Sequence, residues 1–173
     1  MSRYSRGYIQ THDIDWFCIL DDRFPIHVGS CGGMLPGFAR DRDVNRRWQN
    51  IVDNLPEDYD TDWNREYVSR RLERNTNLEV TPESFTENFL YFARRGFYSF
   101  YRDLHREEGE ERETYTLIAW PKDDIHLLIL KILCKYDFPC DCSKEIEKRI
   151  YQLVINHTVT NLEHIPILDY LKE

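Results

Sequence analysis

A chain of 173 residues, of which 41% are hydrophobic and 14% aromatic, can bury a core, and this content excludes intrinsic disorder. The net charge of −8 excludes a cationic field over the whole chain of the kind that attracts nucleic acid. With only 7 glycines and 7 prolines the sequence is neither collagen-like nor of low complexity, so residues 1–173 are expected to form a single globular domain.

Three segments near the N-terminus are typical of β-strands. Residues 4–12 are rich in Tyr, Ile and Thr, and residues 14–20 and 24–30 are stronger candidates. The short polar connection at residues 21–23 predicts a β-hairpin between the last two. Because Pro25 cannot donate to a strand ladder, we expect the second strand of this hairpin to lie at a sheet edge or to start late.

A loop and two helices are predicted next. Four glycines and a proline between residues 29 and 37 indicate a loop in which at least one glycine has a positive φ. Asp41 is expected to cap a helix that ends near residue 54 and has an apolar stripe centred on Trp48. The acidic segment 56–62 then reads as a linker before a helix over residues 63–74.

The following segments predict another helix and a second hairpin. Thr81 is a good helix cap, Pro82 suits the first helical position, and Gly96 is expected to end this helix. Residues 97–104 and 114–120 are typical of strands and are separated by a highly charged turn. The pattern therefore favours a hairpin built from these two strands.

The C-terminal third is predicted to be mainly helical. Residues 125–136 are apolar nearly all round, which favours a buried helix, with a central strand as the alternative. Ser143 is expected to cap a helix to about residue 156, and residues 162–172 suggest a short final helix. The chain lacks a regular βαβα alternation, so we predict an α+β domain in which a mostly antiparallel sheet of two hairpins packs against about five helices.

The first hairpin and the loop after it hold the main candidate site. A three-residue turn sets a register with three apolar pairs on the predicted core face: Leu20–Phe24, Cys18–Ile26 and Trp16–Val28. The opposite face then brings carboxylate, imidazole and thiol groups beside backbone that glycine leaves uncovered. The predicted ligand-binding residues are accordingly Asp13, Asp15, His27, Cys31, Gly32 and Gly33.

A Cys–His–Asp arrangement is one interpretation of this face, with Cys31 as nucleophile and His27 as base. Their Cα atoms would be about 13 Å apart on one extended strand, whereas a nucleophile and its base must approach to about 3 Å. The loop would have to fold Cys31 back, or His12 would have to serve as the base. Since nearby aspartates also disfavour a thiolate, we favour a small buried or turn cysteine here.

Metal and cofactor signals are weak. The sequence contains none of the motifs GxGxxG, GxxxxGK[ST], HExxH and GxSxG. Cys134, Cys140 and Cys142 precede His157, but structural zinc sites usually have closer CxxC pairs, so ordinary core and loop cysteines are favoured. We therefore predict no metal and no cofactor.

The cellular compartment is predicted from the cysteines and the N-terminus. There are five cysteines, an odd number, and the first ten residues contain no apolar segment of the kind found in signal peptides. The longest apolar run, residues 125–133, is too short to cross a membrane. Reduced thiols in the cytoplasm, without membrane association, are the expectation.

The arginines leave the choice of partner open. Arg is the only basic residue type of residues 1–106, and aromatics such as Tyr98 and Tyr101 among arginines could stack on bases. Interleaved acidic residues cancel the positive field, however, and the same arginines could receive an acidic protein. We predict a non-catalytic binding protein whose partner is another protein. The alternatives are a small thiol- or carboxylate-dependent enzyme with its site in the glycine-rich loop, and an Arg-mediated nucleic-acid binder.

Overall fold

A computed structural model describes residues 2–20, 24–33, 35, 37–74, 79–102, 115–122 and 133. These residues form a five-stranded sheet, four α-helices and one 3-10 helix. Helices and strands are not in regular alternation, and the predicted α+β class is confirmed at this level. No helix among these residues is both long enough and apolar enough to cross a membrane.

The elements follow one another as α1 (Arg6–Thr11), β1 (Asp15–Leu20), β2 (Phe24–Gly29), the 3-10 helix (Gly37–Arg40), α2 (Arg42–Asp53), β3 (Thr61–Trp63), α3 (Arg65–Arg74), α4 (Pro82–Ala93), β4 (Tyr98–Arg102) and β5 (Tyr115–Pro121). The strand order across the sheet is β1-β2-β4-β5-β3. Both predicted hairpins are present, and all neighbouring strands are antiparallel except β2 and β4, which are parallel. The sheet is thus mostly antiparallel, as predicted, but its two hairpins are joined by a parallel pairing.

The register of the first hairpin is the predicted one. Trp16 lies opposite Val28, and Asp15 lies opposite Gly29. The expected edge position of β2 is wrong, because β1 and β4 flank it on either side. Its pairing with β4 begins at Ile26, one residue after Pro25, so that ladder does not need the N–H group that proline lacks.

Both faces of the hairpin are buried, which corrects the expectation of one core face. Trp16 has no exposed surface, and neither do Phe17, Ile19 and His27 on the opposite face. The Phe17 ring contacts Phe92 of α4 at a centroid distance of 5.6 Å. An alternating pattern shows which side chains share a face, but here helices cover the face that was expected to be open.

Residues 4–12 contain a helix, not the predicted strand. Ser5 caps α1 by accepting a hydrogen bond from the Tyr8 backbone N–H at 3.2 Å. Tyr4, Tyr8 and His12 are spaced four residues apart, and their rings stack at centroid distances of 5.5 and 3.7 Å. This spacing places side chains on one side of a helix, and here it outweighs the strand propensity of Tyr and Thr.

The predicted helix ends are largely confirmed. The Asp41 carboxylate caps α2 by accepting backbone N–H groups of its first turn. Thr81 and Ser84 form a reciprocal capping box at the start of α4, and Gly96 follows that helix with a φ of +93°. Trp48 is only 4% exposed and packs in the core, as its central place in the stripe predicts.

Two segment predictions need correction and several cannot be compared. The acidic segment 56–62 is not all linker, because β3 starts at Thr61 and pairs with β5. The next helix starts at Arg65, two residues later than predicted. The charged turn, the helices predicted from Ser143 onward, the apolar segment except Leu133, and the C-terminal cysteines lie outside the described residues.

Candidate functional site

An open cleft of about 300 Å³ lies between α1, the start of β1 and α2. Its walls are formed by Tyr4 and Tyr8 on the α1 side, by Asp13, Ile14 and Asp15 at the start of β1, and by Arg42, Asn45, Arg46 and Gln49 of α2. Nearly all of these residues are polar, and both signs of charge are present. Two of the six residues predicted from the sequence, Asp13 and Asp15, belong to this cleft.

The α2 wall of the cleft carries the positive charge. Its four residues follow the spacing i, i+3, i+4 and i+7, which places them along one side of the helix. Arg42 and Arg46 are exposed, and neither makes an ion pair within the described residues. Like charges one helical turn apart repel each other and cost about 0.2–0.5 kcal/mol. The two guanidinium groups are therefore available to an anionic group.

The opposite wall carries the negative charge. Asp13 and Asp15 are two residues apart, so both point to the same side of the extended chain. Asp13 is exposed overall but turns Oδ1 inward to accept the backbone N–H of Cys31 at 2.6 Å. Desolvation of its carboxyl raises the pKa of Asp13, and the negative charge of Asp15 raises it further, against the lowering effect of the Cys31 hydrogen bond.

Asn45 joins the two walls of the cleft. It is 5% exposed, and its Nδ2 donates to the backbone carbonyl of Asp15 at 2.7 Å. This bond fixes the orientation of the amide, and the other atom, Oδ1, is buried without a hydrogen-bond partner. A buried acceptor without a partner costs about 1–3 kcal/mol, and this one belongs to a residue that lines the cleft.

Asp15 also connects the cleft with the protein interior. Its Oδ1 lies 3.0 Å from His27 Nε2, and His27 Nδ1 lies 2.6 Å from Ser99 Oγ. Because a carboxylate only accepts, Nε2 donates to Asp15, and the Ser99 hydroxyl donates to Nδ1 when the imidazole is neutral. These three residues, which we call the buried polar chain, span β1, β2 and β4.

The buried polar chain has the order of a catalytic triad but the opposite exposure. His27 and Ser99 have no exposed surface, and the His27 ring stacks on Phe92 at 3.7 Å. The Asp15 side chain is 30% exposed, so the acid and not the hydroxyl faces the cleft. A serine nucleophile must reach its substrate, and Ser99 is covered. The hydrogen bonds of the buried polar chain therefore orient the Asp15 side chain and give the buried His27 and Ser99 polar atoms their partners.

Cys31 lies near the cleft but contacts a different set of groups. Its Sγ accepts a hydrogen bond from the Tyr101 hydroxyl at 2.9 Å, and its carbonyl accepts one from Arg102 at 3.2 Å. Burial raises the pKa of Tyr101 far above its usual range, and the bond to Cys31 adds to this, so the phenol stays protonated and remains a donor. The Cys31 thiol is thus hydrogen-bonded to the Tyr101 phenol, and no hydrogen bond joins it to His27 or His12 among the described contacts.

The two glycines of the predicted site belong to a closed turn. Gly32 has a φ of +73°, which confirms the predicted positive φ, and a Cβ there would lie 2.7 Å from the backbone oxygen of Gln10. A Cβ at Gly33 would lie 2.7 Å from Cδ of Arg102. Both positions are therefore filled by the protein itself and leave no open backbone cradle for a ligand.

The structure places the six predicted residues in three settings. Asp13 and Asp15 line the cleft, His27 lies behind Asp15 in the interior, and Cys31 with its two glycines forms the neighbouring closed turn. Sequence reasoning missed the α2 wall, since neither Arg42 nor Arg46 was among the predicted site residues. Two arginines one helical turn apart at the start of the predicted helix are a signal that could have identified them.

Four other arginines of the N-terminal part make ion pairs among the described residues. Arg65 lies 3.0 Å from Asp62, Arg70 pairs with Glu66, and Arg94 and Arg95 share Glu57. Arg71 lies over the Tyr101 ring at 4.8 Å. Pairing of this kind weakens the field that a nucleic-acid backbone would meet.

Two further findings bear on the type of site. Within the described part of the chain, no group of three or more His, Cys, Asp or Glu side chains is placed to hold a metal ion. Comparisons with models of protein families, with curated proteins and with solved structures gave no significant match to this chain.

Proposed function

We propose that this chain is a non-catalytic binding protein and that its ligand is held in the cleft between α1 and α2. The observation that supports this is the set of polar groups on α2 without protein partners. Arg42 and Arg46 make no ion pair within the described residues, and Asn45 Oδ1 is buried without a donor. Exposed guanidinium groups that are not engaged in protein ion pairs can donate to a ligand, and a ligand donor would satisfy the buried amide oxygen.

The size of the cleft suits a small ligand or one terminus of a protein. A volume of about 300 Å³ is at the lower end of the range of small-molecule sites. The cleft is open, so a segment of another protein can enter it. A protein partner, as predicted from the sequence, would thus present one chain end or one side chain to the cleft.

Binding is favoured over catalysis because the candidate nucleophiles are occupied or covered. Ser99 has no exposed surface, and Cys31 Sγ is bonded to Tyr101 beside the Asp13 carboxylate. The enzyme alternative therefore depends on Asp15 acting with His27 as a general base. A cytoplasmic location remains our proposal, for which the free thiols of Cys18 and Cys31 are the support.

A fragment screen followed by NMR tests the binding function. The ¹⁵N-labelled full chain would be titrated with a mixed library of amines, carboxylic acids, amides and zwitterions. We expect saturable shifts of the backbone amides of Asp13, Asn45 and Arg46. Arg46→Gln should weaken these shifts, whereas Arg47→Gln, an exposed neighbour on α2 that does not line the cleft, should leave them unchanged. If no library member gives saturable shifts in the cleft, the proposed function is wrong.

A further inference from the structure

We infer that the ligand of the cleft is a small zwitterion, a molecule that carries both an ammonium and a carboxylate group, as free amino acids and short peptides do. This inference rests on the proposed binding function and specifies the chemical class of its ligand. The support comes from the charges on the two walls, from the buried amide oxygen between them, and from the aromatic rings at the side.

Each wall of the cleft presents two like charges to the same space. Arg42 and Arg46 are one helical turn apart on α2, with Cβ atoms about 6 Å from each other. Asp13 and Asp15 are about 7 Å apart along the extended chain. No ion pair connects these two walls among the described residues, although all four residues line one cleft. A molecule with both charges would relieve the repulsion within each pair.

The same arrangement disfavours ligands with a single charge. An anion held by Arg42 and Arg46 would share a cleft of only about 300 Å³ with the carboxylates of Asp13 and Asp15. A simple cation held by the carboxylates would face the two guanidinium groups in the same way. Such opposing charges select against the wrong ligand as well as for the right one. Only a ligand with both charges meets an opposite charge on each wall.

The acceptors that line the cleft match the donors of an ammonium group in number. An ammonium has three N–H donors and no acceptor. Asp13 and Asp15 each use Oδ1 for a protein hydrogen bond, to Cys31 and His27 respectively, and no such bond is described for either Oδ2. Asn45 Oδ1 is the third acceptor, and its amide is already oriented by the Asp15 carbonyl. These three oxygens are thus the acceptors that we assign to one ammonium nitrogen.

The rest of the cleft suits the remaining parts of such a ligand. Planar guanidinium groups bind carboxylates with two parallel hydrogen bonds, which Arg42 and Arg46 can both offer. Tyr4 and Tyr8 line the α1 side with aromatic rings, which provide apolar contact for a side chain or a peptide backbone. The raised pKa of Asp13 is consistent with this arrangement, because a bound ammonium would stabilise the carboxylate that desolvation disfavours.

Matched ligands test whether both charges are recognised. The labelled full chain would be titrated at pH 7 with each of the common amino acids and with triglycine. The tightest binder would then be compared with its carboxamide, which lacks the carboxylate, and with its N-acetyl derivative, which lacks the ammonium. We expect each capped derivative to bind at least tenfold more weakly than the parent, because each loses one charged group's hydrogen bonds.

Two variants assign each ligand group to its wall. Arg46→Gln should weaken binding of the parent zwitterion at least tenfold and have little effect on binding of the carboxamide. Asp13→Asn should weaken binding of the parent zwitterion and have little effect on binding of the N-acetyl derivative. Arg47→Gln is the control and should leave all three affinities unchanged. Because Asp13 and Arg46 are exposed, folding of both variants can be verified from their amide spectra.

The possible failures are distinguishable. If capped derivatives bind as tightly as the parent, the charges are not recognised and the inference is overturned. If zwitterions give no shifts in the cleft but fragments of another class do, the inference is overturned and the binding function stands. If no probe of any class shifts the cleft amides, both are overturned. Binding of free amino acids alone, or of triglycine alone, supports the inference and identifies the source of the zwitterion.

Discussion

Two polar regions meet at Asp15, and they differ in how their hydrogen-bonding groups are used. In the buried polar chain, both nitrogens of His27 have partners, and the ring is enclosed by Phe92. In the cleft, Arg42 and Arg46 make no ion pair within the described residues, and Asn45 Oδ1 has no donor. The groups of the first region are bonded to each other, whereas those of the second are the groups to which we assign a ligand.

This difference predicts opposite responses to substitution. Removing a group from the interior leaves a cavity or a buried partner without its hydrogen bond, and both are destabilising. Removing a charge from the cleft relieves repulsion between like groups, so stability changes little or rises while binding is lost. Substitutions at three positions, ordered by the expected size of their effect on stability, test this contrast.

The largest effect is expected on the inner side of α2. Trp48→Ala should lower the free energy of unfolding by about 3–5 kcal/mol, because the indole is buried among core residues. Arg47→Ala, at the preceding residue on the exposed side, should change the free energy of unfolding by less than about 0.5 kcal/mol. Urea unfolding of both variants is the measurement. A loss below about 1 kcal/mol for Trp48→Ala would show that this side of α2 is not part of the core.

An intermediate effect is expected at the inner end of the buried polar chain. Ser99→Ala removes the partner of His27 Nδ1 in a site without exposed surface, which should cost about 1–3 kcal/mol. Ser69→Ala, on the exposed surface of α3, is the matched control and should be nearly neutral. Treatment of the unmodified protein with a fluorophosphonate should leave Ser99 unlabelled. Labelling of Ser99 would contradict its structural role and favour the enzyme alternative.

The smallest effect, with the opposite sign, is expected in the cleft. Desolvation and the charge of Asp15 raise the pKa of Asp13 above its ordinary value of 3.8 in the folded state. The folded protein then holds this proton more tightly than the unfolded chain does. Stability must therefore fall as the pH rises from about 3.8 through the raised pKa.

Asp13→Asn removes this pH-dependent loss and keeps an oxygen for the Cys31 N–H. We expect the variant to melt at a slightly higher temperature than the unmodified protein at pH 7, with the difference vanishing as the pH falls below 3.8. Thermal melts between pH 3 and pH 7 provide the comparison. A variant that melts at a lower temperature at pH 7 would show that the ionised Asp13 carboxylate stabilises the folded state instead of destabilising it.

The parts of the fold that the sequence predicts are those with local causes. Alternation and a short turn set the pairing of Trp16 with Val28, and the caps Asp41 and Thr81 set where α2 and α4 begin. The α1 helix was missed because it is only six residues long and its aromatic spacing competes with strand propensity. Local signals were too evenly balanced there to decide the structure.

The parts that could not be predicted depend on contacts between distant segments. Asp13 and Asp15 were found because strand geometry places them together. Their partners across the cleft, Arg42 and Arg46, lie there only because α2 packs beside β1, a choice that no local pattern encodes. The parallel pairing of β2 with β4 is of the same kind, since it joins segments on either side of five other elements.

Because β2 and β4 pair in parallel, the His27–Ser99 hydrogen bond helps to set the register between these two strands. The two residues are 72 positions apart in sequence and directly opposite each other in the ladder. A shift of β4 by two residues would keep its faces but place the aromatic ring of Tyr101 or Phe97 opposite His27, leaving an imidazole nitrogen without its partner in an apolar interior. One hydroxyl thus distinguishes the native alignment from its nearest competitors, and Ser99→Ala should reveal this as doubled amide resonances along β4.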